Sequence, residues 1–248
     1  MFMELLLILV SGLIIGSFIN AAVYRLANNL SLWQRSICPH CQKKLLNRDI
    51  IPVLSFVLLR GKCRFCKKFI GWQYWLIEVL TPILFMLAYL NYGAINWYLI
   101  SDLLYISLAI FFLVFDFKYL TIPDVVIWPG LIIALILNYL LGFYWLGLVL
   151  GMLVGSGFFY LQYLVSRGKW IGWGDVKFGL LLGAMLGLGD LILTLLLAYV
   201  IGGLLAIVLL LSTKKKFGDL LPLGSFLAGA AIIVILWGDL ILNFIFKI

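Results

Sequence analysis

Long runs of apolar residues alternate with short polar connections along almost the whole chain. A helix needs about 20 apolar residues to cross about 30 Å of hydrocarbon, and it satisfies its own backbone hydrogen bonds in lipid. The pattern therefore predicts an all-α polytopic membrane protein with about eight transmembrane helices, the sixth of them short. The predicted spans lie near residues 4–24, 72–91, 95–115, 124–141, 145–166, 176–188, 191–211 and 220–245.

Composition supports a membrane protein, because 65% of the 248 residues are hydrophobic and only 11% are charged. The first apolar run has Glu4 in front of it and no Lys or Arg, so it lacks the positive region of a cleavable signal peptide. We interpret it as a transmembrane helix and expect the mature chain to begin at Met1. Three regions follow: a first helix in 1–24, a polar segment in 25–71 and a transmembrane bundle in 72–248.

Basic residues are concentrated in the polar segment, which the positive-inside rule places in the cytoplasm. Alternating helices then bring the other basic residues to the same side, except one at the outer C-terminus. The net charge of +8 is thus a signal of topology and of contact with anionic lipids, and it requires no nucleic-acid partner. Outside the polar segment, the basic residues are Lys118, Arg167, Lys169, Lys177, Lys214, Lys215, Lys216 and, alone on the outer side, Lys247.

Two Cys-x-x-Cys pairs, Cys38/Cys41 and Cys63/Cys66, lie in the polar segment. Two such pairs supply the four thiolates of a tetrahedral zinc site of the structural kind, which leaves no open position for chemistry. The alternative is a pair of disulfides, which the reducing cytosol disfavours. We therefore predict that these cysteines bind a structural zinc ion.

Two of the ten acidic residues are predicted to lie at the same membrane depth: Asp116 ends the third span and Asp175 opens the sixth. Two carboxylates in close contact cannot both ionise, so one activates a water while the protonated one polarises a carbonyl. Gly172 and Gly174 precede Asp175 and allow a close approach of backbones. This pattern indicates aspartyl peptide hydrolysis, and the alternative is a glycine-lined turn with a helix-capping Asp.

Four other charged residues near the predicted spans have roles that the sequence leaves open. Glu78 and Asp102 lie inside predicted helices, where each can pair within the bundle or line a wet cavity. Lys118 and Lys177 each follow a candidate aspartate by two residues. They are interpreted as interfacial anchors, and a cation there would also help to keep one carboxylate charged.

Five motifs, in the same order along the chain, together resemble the type IV prepilin peptidases, which are membrane aspartyl proteases of the Gly-x-Gly-Asp class. The last two predicted helices add only hydrophobicity to this resemblance. The motifs are Gly16-Ser17-Phe18-Ile19-Asn20 with Tyr24-Arg25, Cys38-Pro39-His40-Cys41, Ile51-Pro52-Val53-Leu54-Ser55, the segment 59–66 around the second cysteine pair, and Gly172-Trp173-Gly174-Asp175-Val176-Lys177.

The resemblance implies an enzyme of the bacterial inner membrane with two activities. It removes the basic leader of type IV prepilins and pseudopilins, which have a hydrophobic N-terminal helix, on the cytoplasmic face, cutting after a glycine. Many members of the family then methylate the new N-terminal amine with S-adenosylmethionine. The resemblance also implies that Asp116 and Asp175 are catalytic. Asp124 competes with Asp116, which we favour because the archaeal relatives that this motif resembles keep an aspartate there.

Two stretches depart from the family pattern. The chain has Asp49-Ile50-Ile51-Pro52 where the family tends to have Asp-Asn-Ile-Pro, and Tyr74-Trp75-Leu76-Ile77-Glu78 where it favours Tyr-Pro-Leu-Val-Glu. Both stretches lie in the part associated with methyl transfer, so the resemblance supports cleavage more directly than methylation. The polar segment is too short for a nucleotide-binding α/β domain. Any cofactor site must lie between this segment and the helices.

Two other classes of protein remain as hypotheses from the sequence. A transporter would use its acidic residues to line a path, but the two halves of the chain show no internal repeat of the kind common in transporters. A membrane assembly factor would use the cysteine pairs to bind a cytoplasmic partner. That second hypothesis explains a zinc site but not the paired aspartates.

Overall fold

The computed structural model describes residues 2–212 and 221–246, and within these ranges the protein is helical with no strand longer than an isolated bridge. The predictions for Met1, for Lys214 to Lys216 and for Lys247 concern residues outside these ranges. The helices are α1 (Phe2–Ala27), α2 (Leu54–Leu58), α3 (Trp72–Tyr92), α4 (Trp97–Tyr119), α5 (Asp124–Leu140), α6 (Trp145–Ser166), α7 (Trp173–Leu211) and α8 (Leu223–Phe246), with a 3₁₀ turn at Asn47–Asp49.

Six of the described helices are long and apolar enough to cross a membrane: α1, α3, α4, α6, α7 and α8. Helix α5 is also apolar but has only 17 residues. The chain is therefore a multi-pass membrane protein, and the predicted all-α membrane fold is confirmed. It divides into two compact units, here called the N-terminal unit (Met1–Leu103) and the C-terminal unit (Leu104–Ile248).

In the N-terminal unit, α1 and α3 pack as antiparallel helices at backbone distance. A Cβ atom at Gly12 would lie 2.5 Å from the Cα of Pro82, so no side chain fits between the helices there. One turn further on, Gly16 lies against the same face of α3. Asn20, another turn on, donates a hydrogen bond from Nδ2 to the carbonyl oxygen of Tyr74 at 2.9 Å. Small and polar residues at every fourth position thus hold these two helices together.

In the C-terminal unit, α6 packs on the first part of α7 through two glycine pairs with the same spacing. A Cβ atom at Gly179 would lie 2.5 Å from the carbonyl oxygen of Gly155, and Gly183 makes an equally close approach to Gly151. Such small-x-x-x-small pairs let two helix backbones touch, which provides van der Waals packing in lipid. The glycine contact, as we call these four residues, fixes the register of α7 against α6.

Helix α7 reverses direction at Gly187, whose φ of 72° and ψ of −176° are not helical. Trp173 packs on Tyr163 with ring centroids 5.5 Å apart, and the hydroxyl of Tyr199 donates to Gln162 at 2.9 Å. Trp173 and Tyr199 are 26 residues apart, about 39 Å along a straight helix, yet they contact neighbouring residues of α6.

The two parts of α7, called its first arm (173–186) and second arm (188–211), are therefore two antiparallel helices. Counting the arms separately gives eight apolar helices in the part of the chain that the structure describes, six or more of them long, in agreement with the hydrophobic pattern. The first arm corresponds to the short sixth span. Its 14 residues cover only about 21 Å along the helix axis, which is shorter than the hydrocarbon thickness of a bilayer.

Candidate active site and metal centre

The four cysteines lie in two turns of the N-terminal unit that are built alike. The backbone N–H of Cys38 donates to the carbonyl oxygen of Lys43 at 3.0 Å, and that of Cys63 donates to the carbonyl oxygen of Lys68 at 2.9 Å. Each turn also contains one residue with a φ of 58°, which closes it tightly. This repeated local structure directs all four sulfur atoms towards one point.

The geometry of the sulfur atoms fits a metal ion. All four Sγ atoms lie within 4.8 Å of one another, and those of Cys38 and Cys66 are 3.9 Å apart with no disulfide bond. Zinc bound at about 2.3 Å by four sulfurs places them about 3.8 Å apart. Burial opposes ionisation of Cys63, but backbone N–H groups and the thiols of Cys38 and Cys66 together lower the pKa of this thiol to about 7, whereas burial raises the pKa of the Cys38 thiol to about 11. The cluster is therefore able to bind a metal ion.

An ion pair connects the second cysteine turn to the 3₁₀ turn. Asp49 Oδ1 accepts hydrogen bonds from Nε of Arg64 at 2.8 Å and from its second guanidinium nitrogen at 2.7 Å. The Asp49 side chain is only 2% exposed, whereas that of Arg64 is 35% exposed. Hydrogen bonding to Asp49 raises the pKa of the Arg64 guanidinium, so Arg64 remains charged. The pair fixes one oxygen of Asp49.

Asp116 lies in the last turn of α4, which extends four residues beyond its predicted end, and it is only 5% exposed. Its Oδ2 accepts hydrogen bonds from the backbone N–H of Ser225 at 2.7 Å and from the hydroxyl of Ser225 at 3.1 Å. The same hydroxyl lies 3.0 Å from the carbonyl oxygen of Leu113. Because a hydroxyl has one proton, it can donate to only one of these two oxygens at a time.

Asp175 lies in the first turn of α7, where a helix N-terminus favours a negative charge. Its Oδ2 accepts a hydrogen bond from the backbone N–H of Gly172 at 3.0 Å. A Cβ atom at Gly174 would lie 3.2 Å from Cβ of Ile122, so this turn contacts the loop after α4.

The turns that carry the two aspartates meet around Ile122. A Cβ atom at Gly224, next to Ser225, would lie 3.2 Å from Cδ1 of Ile122 and 3.0 Å from the carboxyl carbon of Asp116. Ile122 therefore contacts both the turn that carries Asp175 and the segment of Gly224 and Ser225 that binds Asp116. The charges of Asp116 and Asp175 interact. The turns that carry Asp116 and Asp175, which the sequence predicts to act as a pair, are thus neighbours in the structure.

Asp124, the competing candidate, has a different partner. Both of its carboxylate oxygens lie 2.6 Å from Nζ of Lys177. The charge of Asp124 is thereby balanced, whereas the described partners of Asp116 include no cation. Lys118 is exposed and lies 5.4 Å from the ring centroid of Tyr119, in the place expected of an interfacial anchor.

The two acidic residues with open roles both lie in the N-terminal unit. Glu78 is 8% exposed, and its Oε2 accepts a hydrogen bond from the backbone N–H of Val53 at 2.7 Å. Asp102 accepts a hydrogen bond from the hydroxyl of Tyr92 at 2.7 Å near the end of α3. Glu78 therefore attaches the polar segment to α3, and Asp102 connects α3 with α4.

Comparison with known proteins identifies the family. Two protein-family models match the chain: the bacterial peptidase A24 N-terminal domain over residues 10–92 and the type IV leader peptidase family over residues 103–207. A prepilin leader peptidase/N-methyltransferase of Pseudomonas putida is 35% identical over 93% of this chain and 89% of its own length. The chain belongs to the type IV leader peptidase family.

Other relatives of this leader peptidase come from other bacteria. A Bacillus subtilis (strain 168) protein named prepilin leader peptidase/N-methyltransferase is 31% identical over 97% of both chains. An Escherichia coli (strain H10407) protein named type 4 prepilin-like proteins leader peptide-processing enzyme is 34% identical over 87% of this chain and 90% of its own length. No solved structure shows significant similarity. Family membership confirms the predicted membrane peptidase and decides against the transporter and the assembly factor.

Ser225 of this leader peptidase is not among the residues predicted from the sequence, because the last predicted helix is recognisable there only by its hydrophobicity. The segment Leu221-Pro222-Leu223-Gly224-Ser225 interrupts the apolar pattern at the start of α8. A proline and a glycine ahead of a buried serine are a signal of a tight approach to another element. That signal marks the segment that contacts Asp116.

Proposed function

We propose that this leader peptidase removes the leader of type IV prepilins and pseudopilins with the paired carboxylates of Asp116 and Asp175. The observation that carries the proposal is the meeting of the last turn of α4 and the first turn of α7 around Ile122. The pairing of Asp124 with Lys177 supports Asp116 as the first catalytic residue, because a carboxylate neutralised by a lysine is less suited to share a proton.

Backbone N–H donors fix one oxygen of each carboxylate as a hydrogen-bond acceptor. An N–H group can only donate, so Oδ2 of Asp116 and Oδ2 of Asp175 remain acceptors, from Ser225 and Gly172, in every protonation state. The shared proton is therefore held on the remaining oxygens.

Cleavage of the peptide bond then follows in two steps, formation and collapse of a tetrahedral intermediate. The charged carboxylate takes a proton from water while the water oxygen attacks the scissile carbonyl carbon, and the neutral carboxyl gives its proton to the carbonyl oxygen. When the tetrahedral intermediate collapses, the carbon–nitrogen bond breaks and the leaving amine takes the proton that the first carboxylate received from water. A hydroxyl of the intermediate gives its proton to the other carboxylate, which restores the pair.

Ser225→Ala tests whether this serine positions Asp116. We expect kcat for leader cleavage to fall about tenfold with KM nearly unchanged, because one hydrogen bond to a charged group is lost while the backbone donor remains. Ser225→Thr, which keeps a hydroxyl, should restore most of the rate. The measurement is steady-state cleavage of a prepilin in detergent.

A second buried serine provides the matched control for Ser225. The hydroxyl of Ser101 donates to the carbonyl oxygen of Tyr98 within its own helix, and Ser101 is 3% exposed. Ser101→Ala should therefore cleave at the wild-type rate. A Ser225→Ala enzyme with the wild-type kcat, or a Ser225→Thr enzyme as slow as the alanine variant, would contradict the positioning role.

The distribution of charge supports an active site on the cytoplasmic side of the inner membrane. Within the described part of the C-terminal unit, every Lys and Arg lies at the end that carries the carboxylate pair, as the positive-inside rule requires of a cytoplasmic end. The paired acids there suit a substrate with a basic leader. Exposed apolar side chains along the helices suit contact with lipid and with the hydrophobic helix of the substrate. The basic residues of this end are Lys118, Arg167, Lys169 and Lys177.

The N-terminal unit carries the remaining proposals. Cys38, Cys41, Cys63 and Cys66 hold one structural zinc ion, in keeping with the sulfur geometry. The relatives named N-methyltransferases support a second activity, transfer of a methyl group from S-adenosylmethionine to the new N-terminal amine. In that reaction a carbon–sulfur bond breaks, a carbon–nitrogen bond forms, the sulfur keeps its electron pair as a thioether, and the amine releases a proton to water.

One experiment tests both activities of the purified full chain. The chain in detergent is incubated with a prepilin, with and without S-adenosylmethionine, and mass spectrometry reads the N-terminus of the product. We expect loss of the leader in both reactions and an additional 14 Da only when S-adenosylmethionine is present, because one hydrogen is replaced by CH₃. An intact leader would overturn the protease proposal, and a cut but unmethylated product would overturn the methyl step alone.

A further inference from the structure

Helix α2 lies beside the first turns of α3, where that helix enters the membrane. The backbone N–H of Val53, the residue before α2, donates to Oε2 of Glu78 at 2.7 Å. The ring centroid of Phe56 in α2 lies 5.7 Å from that of Trp72, the first residue of α3. Glu78 comes six residues after Trp72, which is about 9 Å along a helix axis. Since the 21 residues of α3 cover only about 31 Å, close to the hydrocarbon thickness, α2 lies at the depth of the bilayer edge.

The face of α2 opposite Phe56 is apolar and exposed. Leu54, Val57 and Leu58, at positions i, i+3 and i+4 of the helix, are 51%, 59% and 72% exposed. Two isoleucines just before the helix, Ile50 and Ile51, are exposed as well. We call these five residues the apolar face. Large apolar side chains grouped in this way on a surface mark contact with a membrane or with another protein.

Positive charge borders the apolar face. Arg48 precedes it and Arg60 follows it in the sequence, and both residues are exposed. The whole polar segment, residues 25–71, has ten Lys and Arg but only one acidic residue, Asp49, which Arg64 binds. An apolar surface bordered by cations suits an anionic bilayer, where phosphate groups lie above the acyl chains. The basic leader of the proposed substrate fits this surface poorly, because like charges repel.

We propose that α2 is a short interfacial helix, whose apolar face inserts between the lipids of an anionic membrane while Arg48 and Arg60 bind lipid phosphates. Helices of this kind bury their apolar side about 5–10 Å into the boundary between head groups and acyl chains. The polar segment is then attached to the bilayer surface at α2 as well as through α1 and α3 at its two ends. This inference goes beyond the proposed cleavage and methyl transfer and depends on neither.

The test maps lipid contacts of the purified full chain in nanodiscs by photo-cross-linking. The nanodiscs contain a trace of phospholipid with a diazirine near the head-group end of an acyl chain, and mass spectrometry locates lipid adducts on tryptic peptides. Trypsin cuts after Arg48 and Arg60, so the peptide 49–60 contains the whole apolar face. We expect adducts on this peptide, about fivefold more in phosphatidylglycerol than in phosphatidylcholine nanodiscs, because anionic head groups attract basic residues near the surface.

A triple variant with Leu54→Ser, Val57→Ser and Leu58→Ser should lose this insertion. It removes three exposed apolar side chains and leaves Phe56 in its contact with α3, so the fold should be retained. We expect the adducts on peptide 49–60 to fall at least about fivefold, because little apolar area remains to enter the lipid. Zinc content and elution volume show whether the variant is folded.

A fully exposed aromatic residue of the same segment provides the matched control. Trp33 is 95% exposed and lies outside the apolar face. Trp33→Ser removes a comparable apolar area and should leave the labelling of peptide 49–60 unchanged. Peptide 1–25, which covers most of α1, serves as the internal standard because it should be labelled in every variant.

Three results would overturn the proposal. An unlabelled peptide 49–60 in a wild-type chain whose peptide 1–25 is labelled would mean that α2 contacts protein or water instead of lipid. Equal labelling in the two kinds of nanodisc would remove the phosphate-binding role of Arg48 and Arg60. Loss of the adducts when prepilin is added would assign the apolar face to the substrate.

Discussion

Asp116→Asn and Asp175→Asn should each lower kcat/KM for leader cleavage by about a thousandfold or more. Each change removes the group that carries charge or proton in the proposed pair, and general acid–base catalysis contributes about 10²–10⁴-fold. Asparagine keeps an acceptor for the N–H of Ser225 or Gly172, so the fold should be retained. The measurement is prepilin cleavage by the purified variants in detergent.

Two further carboxylates make this test selective. Asp190 is a half-buried acidic residue in the second arm of α7, and its charge interacts with Asp239, so Asp190→Asn should cut like the wild type. Asp124→Asn distinguishes the two candidates for the first catalytic position, and we expect it to retain most activity because Asp124 is exposed and bound to Lys177. Cleavage by both Asp116→Asn and Asp175→Asn would eliminate the carboxylate pair, and loss of cleavage in Asp124→Asn alone would transfer the role to Asp124.

Cys63→Ser should remove the metal from the protein. The wild type should contain about one zinc ion per chain, and the variant almost none, because a four-thiolate site loses one quarter of its ligands. The N-terminal unit should also unfold at a lower temperature, since metal binding contributes to folding free energy. Elemental analysis and thermal denaturation of the purified chains measure the two effects.

The single histidine supplies the control for the zinc test. His40 lies between two of the cysteines in sequence, but its Nε2 is 3.1 Å from the carbonyl oxygen of Phe69 and it is exposed. His40→Ala should therefore retain the metal. Undiminished zinc in Cys63→Ser, or zinc lost equally from His40→Ala, would contradict the four-cysteine site.

The parts of this protein that are predictable from sequence are those with a local or periodic cause. The apolar runs specify each helix because hydrocarbon leaves a backbone few alternatives. The spacing of the cysteines specifies a cluster because each pair forms its turn locally. The break at Gly187 is visible as the gap between two apolar runs, although only contacts with α6 establish that the chain reverses there.

Other features depend on contacts between distant segments, which the hydrophobic pattern does not encode. Ser225 reaches Asp116 across 109 residues, and the ion pair of Asp124 with Lys177 spans 53. The four-residue spacing of the glycines in the glycine contact is typical of closely packed helices. The chain has 24 glycines, however, so the spacing alone does not show which of them make the contact.

The glycine contact has a further consequence for where the enzyme cuts. If the first arm slid along α6 by one residue, Phe178 or Leu180 would occupy a place where only a hydrogen atom fits. Asp175, three and five residues before these positions, is therefore held at one height relative to the bundle. Under the proposed function, a substrate anchored in lipid by its apolar helix would meet the two carboxylates at a constant distance from the edge of the bilayer, whatever the length of its leader.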